Sequence, residues 1–475
     1  MSDLWFKPAH EIASLIRSKQ LSPVELMETC LARIEETDPV LNAFIAKRPH
    51  EELLADARAV ESRIQRGENA GPLAGLPFGV KELEDLAGFP STHASVPFRD
   101  HYPAGDSTQV QRLKAAGAIA IGKTNSPEFG YTAITKNLLW GVSRNPWNPE
   151  RTPGGSSGGS SAAVAAGQVP FCTGSDGGGS IRIPASWTGL PGFKCSFGRI
   201  PRGPYEMMDW IDTSVYGPMV RTVRDAALFL DCVVGTSEQD PNSLPHPGYS
   251  YVDVLERLPK QLRIAWSPDL GYAAVEPDVR RECESAVKAF EEMGHKVDLV
   301  GHVFDDLGVL WGRVSSTSTY ATIFDKLRDE SDRFGRAFLK GTLVAKRITW
   351  DKYGEAQRAR ATLVNQLAEF FEKYDLLLTP TLPFDAIDAR GAWPTEIDGK
   401  PLKNPLHVVP FTPPFNLSGH PAISVRAGFS DRDLPVGLQI VAGRHRDDLV
   451  LQAGHAFEQA RPWNDRWPVR VPAMV

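Results

Sequence analysis

Short apolar runs and amphipathic stretches take turns along this chain, and their two periodicities predict strands and helices in alternation. Residues 8–35 read as two helices. Ser22 is a natural N-cap with Pro23 at the first helical position, and Leu26, Cys30, Leu31 and Ile34 then share one face. A linker near 66–71 closes an N-terminal helical part over 1–65. Strand-like 76–80 is followed by helical 108–116, strand-like 118–121, helical 161–166 and strand-like 169–173. The alternation returns with 262–266, the amphipathic helix 278–293, then 376–378, 422–425 and 436–440, and a helix over 447–458 closes it. Strands separated by helices pair in parallel, so the expected fold is α/β with a largely parallel sheet.

Two segments break the rhythm. Residues 304–371 are helical in pattern, rich in charge and aromatics, and hold no strand-like run to tie them into a sheet, which predicts an insertion or lid. Residues 154–180 are dominated by Gly and Ser. No internal repeat of the solenoid or propeller kind is present, and 1–475 is expected to be one domain.

Composition narrows the function classes. With 42% hydrophobic and 23% charged residues, wholesale disorder, a collagen-like fibre and a coiled coil are excluded. A net charge of −6 leaves no basic excess for nucleic acid. Cys30, Cys172, Cys195, Cys232 and Cys283 are odd in number, scattered and without a Cys-x-x-Cys pair, which fits a reducing compartment and argues against a zinc site. The N-terminal stretch lacks an apolar signal core, and no apolar run is long enough to span a bilayer. The expectation is a soluble cytoplasmic protein with no nucleic-acid or membrane partner.

Gly117-Ala-Ile-Ala-Ile-Gly122-Lys123-Thr124 matches the phosphate-loop pattern GxxxxGK[ST]. A working phosphate loop needs a strand before its first Gly and a helix at its Lys. Here a helical pattern precedes Gly117 and 118–121 is itself strand-like, so the octamer reads as a helix end followed by a strand.

On composition alone, GGSSGGSS at 154–161 is a flexible linker. The small-residue helix that continues through 162–166 argues otherwise, because it sets the glycines at a helix N-terminus, where unpaired N–H groups favour an anion or a polar side chain. A second cluster, Gly174-Ser-Asp-Gly-Gly-Gly-Ser180-Ile-Arg182-Ile-Pro184, follows an apolar run. Successive glycines let the backbone turn sharply and present adjacent N–H groups inward, which is how an oxyanion hole can be built. An activated serine also needs a base. No histidine lies in either cluster and the eleven elsewhere show no triad spacing, which leaves a lysine as the chemical alternative.

These residues carry a resemblance. GGSSGGSSAAVAAG at 154–167 and GSDGGGSIRIPA at 174–185 resemble the hallmark of the amidase signature family of serine hydrolases. GPLAGLPFGVKELEDLAG at 71–88 resembles the family's lysine-bearing segment, and PFNLSGHPAISV with LPVGLQIV resembles its C-terminal core, so the likeness covers nearly the whole chain. It implies the amidase signature fold: a large central mixed, mostly parallel β-sheet covered by helices on both faces, with a catalytic core over 71–235 and its C-terminal part over 372–475.

Taken residue by residue, the resemblance sets Lys81 on the catalytic lysine, Ser156 on the bridging serine with its cis peptide bond, and Ser180 on the nucleophile. It makes the N–H groups of Gly177, Gly178, Gly179 and Ser180 the oxyanion donors, with Ser157, Asp176 and Arg182 as supports, and it implies neither a metal nor an organic cofactor. In the implied reaction neutral Lys81 draws a proton through Ser156 from Ser180, which attacks the carbonyl and forms an acyl-enzyme. Lys81 must then lose most of its charge near neutral pH, and the apolar approach Leu76-Pro-Phe-Gly-Val80 is compatible with the burial that would do this. The sequence departs from the family text at Ser175 and Gly177, which replace threonines, and at Cys195-Ser196, which replaces Pro-Thr. None of these removes a catalytic group, and Cys195 reads as a packed thiol.

Around Tyr205, Met207, Met208 and Trp210 the chain is aromatic and Met-rich, where family members line the substrate channel. Phe129, Tyr131, Leu138, Leu139 and Trp140 are expected to form another wall. These side chains favour an apolar or aryl-bearing amide, with esters, anilides and carbamates open to the same acyl chemistry, a urethanase activity included. Two other readings stand beside this one: the glutamine-hydrolysing component of an amidotransferase complex that serves tRNA-linked amidation, and a non-catalytic scaffold. Homodimers are common, but no interface is legible here.

Overall fold

In the computed structural model, which describes residues 2–205 and 213–471, the apolar runs pair into one eleven-stranded mixed sheet. In chain order its strands are β1 (Phe44–Lys47), β2 (Pro77–Lys81), β3 (Ile119–Thr124), β4 (Phe171–Asp176), β5 (Gly192–Lys194), β6 (Val215–Met219), β7 (Arg263–Trp266), β8 (Lys296–Leu299), β9 (Leu376–Pro380), β10 (Ala422–Phe429) and β11 (Pro435–Ala442). Across the sheet they run β1-β3-β2-β4-β6-β5-β10-β11-β9-β7-β8. Every residue of β2, β3 and β11 is buried, which requires cover on both faces. Helices supply it: at β11, helices Pro277–Glu292 and Asp447–Ala460, whose Phe290 and Phe457 stack at 5.7 Å, cover one face, and helix Arg182–Thr188 covers the other, where a Cβ on Gly437 would fall 2.6 Å from Ser186 Oγ.

Parallel pairing occupies two blocks, β3-β2-β4 at one side and β9-β7-β8 at the other. Between them β4-β6-β5-β10-β11-β9 runs antiparallel throughout, a larger antiparallel share than the alternation of segments suggested. The reason is local. The turn 430–434 that joins β10 to β11 is too short for a crossover, and β5 and β6 are short strands in Gly- and Pro-containing sequence.

The N-terminal part keeps its expected cap, Ser22 accepting from the amides of Val24 and Glu25 at 3.0 and 3.4 Å. Its helices are Ser2–Trp5, Ala9–Arg17, Pro23–Leu41 and His50–Gln65, and between the last two the chain adds β1, an edge strand antiparallel to β3. Residues 1–65 are therefore not purely helical. The phosphate-loop look-alike is structural: helix Thr108–Ala115 ends, Gly117 turns the chain at φ 94°, and Gly122, Lys123 and Thr124 lie inside β3. Lys123 Nζ is 3.6 Å from Glu82 and donates to the carbonyl of Glu84.

Residues 304–371 carry the helices Leu310–Thr322, Phe324–Asp329, Arg336–Thr342 and Trp350–Lys373 and no strand among the described residues. Ile323, Leu327, Phe334 and Phe338 form a small core of their own that also takes in Phe98, Phe129 and Tyr131. No helix of the described residues is long and apolar enough to cross a membrane.

Candidate active site

Lys81 ends β2 and Ser175-Asp176 end β4, and these strands are parallel neighbours in register Phe78↔Phe171 and Gly79↔Cys172, so their C-terminal ends lie side by side. The Lys81 amide donates to Thr173 Oγ1 at 3.0 Å. Beneath them helix Gly158–Ala165 is wholly buried, and its small residues are what let it approach: a Cβ on Gly159 would fall 2.3 Å from the Asn125 amide nitrogen. Ser160 Oγ donates to the Thr173 carbonyl at 2.8 Å. The Gly/Ser block is thus packed structure that docks a helix N-terminus onto the strand ends.

The Gly155–Ser156 peptide is cis, and Ser156 Oγ lies 2.8 Å from Lys81 Nζ. Ser175 supplies two further contacts to Nζ, its Oγ at 2.9 Å and its carbonyl at 3.1 Å. A neutral amine donates two hydrogens and accepts one. Because a carbonyl can only accept, the lone pair of neutral Lys81 must face one of the two hydroxyls. Burial pushes the Lys81 amine down to about 7, against the pull of the Asp176 and Glu84 carboxylates, which favour its charged form.

Asp176 folds the loop that leads to Ser180. Its Oδ1 accepts from the Gly179 amide at 2.6 Å and its Oδ2 from the Ile181 amide at 3.2 Å. Arg182 pairs with it at 3.0 Å with both side chains fully buried, and Asn416 Nδ2 donates to it at 2.9 Å. Burial alone would raise the Asp176 carboxyl, but the Arg182 guanidinium holds it well below the usual carboxylate range. Ser157 ties the two clusters together: its amide donates to the Ser180 carbonyl at 3.2 Å, and its Oγ accepts from the Ser175 amide at 3.3 Å. One expected oxyanion donor is thereby spent, since the Gly179 N–H serves Asp176. The amides of Gly177, Gly178 and Ser180 have no acceptor among the described residues.

Ser156, Ser175, Gly177, Gly178 and Ser180 open onto one cavity of about 290 Å³. Phe129 and Tyr131 line it as expected, joined by His93, which stacks on Phe129 at 5.0 Å and whose imidazole burial pushes down to about 3. Ser180, Gly178 and Tyr131 also face a second cavity of about 270 Å³ with the apolar side chains Ile183, Trp393, Leu406 and Val408. Other expected wall residues lie elsewhere. Tyr205 donates its hydroxyl to Asp240 at 3.3 Å, and Arg202 and Tyr216 line that side instead. Leu138 is exposed on a neighbouring groove, Leu139 donates its amide to Asn137, and Trp140 donates to Thr92. Met207, Met208 and Trp210 fall outside the described residues. Cys195 is a buried thiol that donates to the Tyr216 carbonyl at 3.4 Å. No group of three or more His, Cys, Asp or Glu side chains among the described residues is placed to hold a metal ion.

Sequence reasoning missed the wall from helix Leu310–Thr322, where Trp311, Ser315, Ser318 and Thr319 face the cavity. It also missed Thr412, which donates to the Gly178 carbonyl. Only Asn416, inside the PFNLSG run, carried a motif-level signal.

Comparison with known proteins agrees in family and fold. A family model described as Amidase matches residues 25–451. An acylamidase of Rhodococcus erythropolis is 37% identical over 98% of both chains. One component chain of the glutamyl-tRNA(Gln) amidotransferase of Geobacillus kaustophilus is 35% identical over 97% of this chain and 98% of its own. Among solved structures, a bacterial aryl acylamidase of the amidase signature family superposes with a TM-score of 0.90 at 32% identity, covering 99% of this chain and all of its own.

Proposed function

Since this chain belongs to the amidase family and is a hydrolase of amide C–N bonds, we propose that it is an acylamidase acting on apolar or aryl-bearing amides through an acyl-enzyme on Ser180. The observation that carries the reading is Lys81 Nζ, fully buried and pushed down to about 7, at 2.8 Å from the Oγ of Ser156, which lines the same cavity as Ser180. Neutral Lys81 takes the Ser156 proton as Ser156 takes that of Ser180, and the Ser180 oxygen attacks the carbonyl. The amides of Gly177, Gly178 and Ser180 hold the oxyanion, a contribution of about 3 kcal/mol for a critical donor. As the C–N bond breaks, Lys81 returns the proton through Ser156 to the leaving amine. Water then enters by the same relay, and Ser180 leaves as the acid forms. None of these steps calls on a metal or an organic cofactor.

The lining supports the substrate class. Phe129, Tyr131 and His93 face one side of Ser180, and Ile183, Trp393 and Leu406 the other. The second cavity is mainly apolar and matches an apolar or aryl group better than the polar side chain of glutamine does, while Arg202, Ser315, Ser318 and Thr319 make the first cavity mixed. Aryl esters and carbamates present the same carbonyl to Ser180 and belong to the proposed range. Five free thiols are in keeping with a cytoplasmic location.

A substrate panel tests the reading. Purified enzyme is expected to release arylamine from acyl anilides with kcat/KM at least about a hundredfold above its release of ammonia from glutamine, a difference of about 2.8 kcal/mol. The reverse ranking would put the amidotransferase reading in its place.

A further inference from the structure

Two carbonyls of the loop before Ser180 are held by side chains from far along the chain. Trp311 Nε1 donates to the Gly177 carbonyl and Thr412 Oγ1 to the Gly178 carbonyl, both at 2.8 Å. Trp311 belongs to helix Leu310–Thr322 of the strand-free segment, and Thr412 precedes helix Pro413–Leu417. The packing is close. A Cβ on Gly178 would lie 2.5 Å from Trp311 Cζ2, and one on Gly179, where φ is 128°, would lie 2.3 Å from Thr412 Oγ1. Glycine at 178 is what allows the indole to reach the carbonyl.

The Gly177–Gly178 peptide is trans and planar, so the direction of its C=O sets that of the Gly178 N–H on the opposite side. A hydrogen bond accepted at the oxygen also polarises the amide and strengthens its N–H as a donor. The next peptide is held at both ends, Thr412 on the oxygen and Asp176 on the Gly179 N–H at 2.6 Å. The Gly177–Gly178 peptide is held at its oxygen alone, and its N–H has no acceptor among the described residues.

We infer that Trp311 is a positioning residue for amide hydrolysis, aiming the Gly178 N–H at the developing oxyanion through its own indole N–H. The inference rests on Ser180 being the nucleophile. It makes the helix that carries Ser315, Ser318 and Thr319 into the cavity wall a part of the catalytic geometry as well as a cover.

Trp311→Phe keeps an aromatic ring in the wall and removes the N–H. It is expected to lower kcat for an acyl anilide about tenfold, with KM within about twofold and a matching fall in the rate of labelling by a fluorophosphonate, whose P=O needs the same donors. Trp311→His returns a ring N–H and is expected to recover part of kcat. An unchanged kcat in Trp311→Phe would overturn the inference, as would a loss carried by KM or a Trp311→His variant no better than Trp311→Phe. If Trp311→Phe does not fold, Trp311→His alone is read for the same split of kcat from KM. Ser180→Ala run beside them separates the two claims: residual hydrolysis there removes the nucleophile reading, whereas an inert Ser180→Ala with a fully active Trp311→Phe removes only the role of Trp311.

Discussion

At the scale of single residues the account turns on the protonation of Lys81. Burial disfavours the ammonium, and Asp176 and Glu84 recover only part of that penalty, so the amine is half neutral near pH 7. Only the neutral form can take a proton. Raising the pH through about 7 therefore fills the active form, and kcat/KM for an acyl anilide is expected to climb tenfold per unit below that midpoint and to be flat above about pH 8. A profile measured from pH 5.5 to 9.5 that stays level, or falls with rising pH, contradicts a lysine base. Ser156 and Ser180 drew notice because they stand in glycine-rich runs with little other use for such composition, whereas Lys81 was singled out only by the family resemblance of its segment. Trp311 was not: its one polar contact with the loop joins residues 134 apart in sequence, and nothing near Trp311 marks it. The engagement of the Gly179 amide by Asp176 was equally hidden, since a run of glycines offers donors without saying which are already taken.

Elements decide which substrates reach that chemistry. Helix Arg336–Thr342 presses on the cavity wall, Phe338 stacking on Phe129 at 5.2 Å and Gly341 lying against Tyr131. A Cβ at Gly341 would fall 1.4 Å from the Tyr131 hydroxyl, so Gly341→Ala must move the ring. It is expected to raise KM for acyl anilides about tenfold while kcat changes less, which steady-state kinetics on a substrate series reads directly. Gly354→Ala is the control, on helix Trp350–Lys373, where a Cβ meets only the tip of Arg358 at 3.4 Å. It is expected to leave KM unchanged and to stabilise the protein by up to about 1 kcal/mol in urea unfolding. Equal KM values for the two variants would show that this helix does not shape the wall. The helical character of 304–371 was readable from periodicity. Its packing on Phe129 and Tyr131 was not, because an amphipathic pattern states that a face is buried and not against what. Strands β5 and β6 escaped for the opposite reason: Gly-Phe-Lys and Val-Tyr-Gly-Pro-Met are too short and too rich in Gly and Pro to read as strands.

For the whole molecule, the sheet brings distant motifs to one edge of one cavity. The parallel neighbours β2 and β4 carry Lys81 and the loop to Ser180, while β11 supplies Gln439, which accepts from Arg182 at 2.6 Å, and the segment before β10 supplies Asn416. The α/β class and most strand positions followed from the alternation of apolar runs. The antiparallel centre did not, because pairing direction depends on connection lengths that the pattern alone underdetermines. What the proposal asks of this architecture is a single activated serine, Ser180, facing two cavities, and that is the claim to test first. Intact-mass and peptide-mapping analysis after treatment with a small fluorophosphonate needs no knowledge of the substrate. The account predicts one adduct, on the peptide containing Ser180, absent in Ser180→Ala and strongly slowed in Lys81→Ala. An adduct on another serine, or labelling of Ser180 that is indifferent to the loss of Lys81, would contradict it.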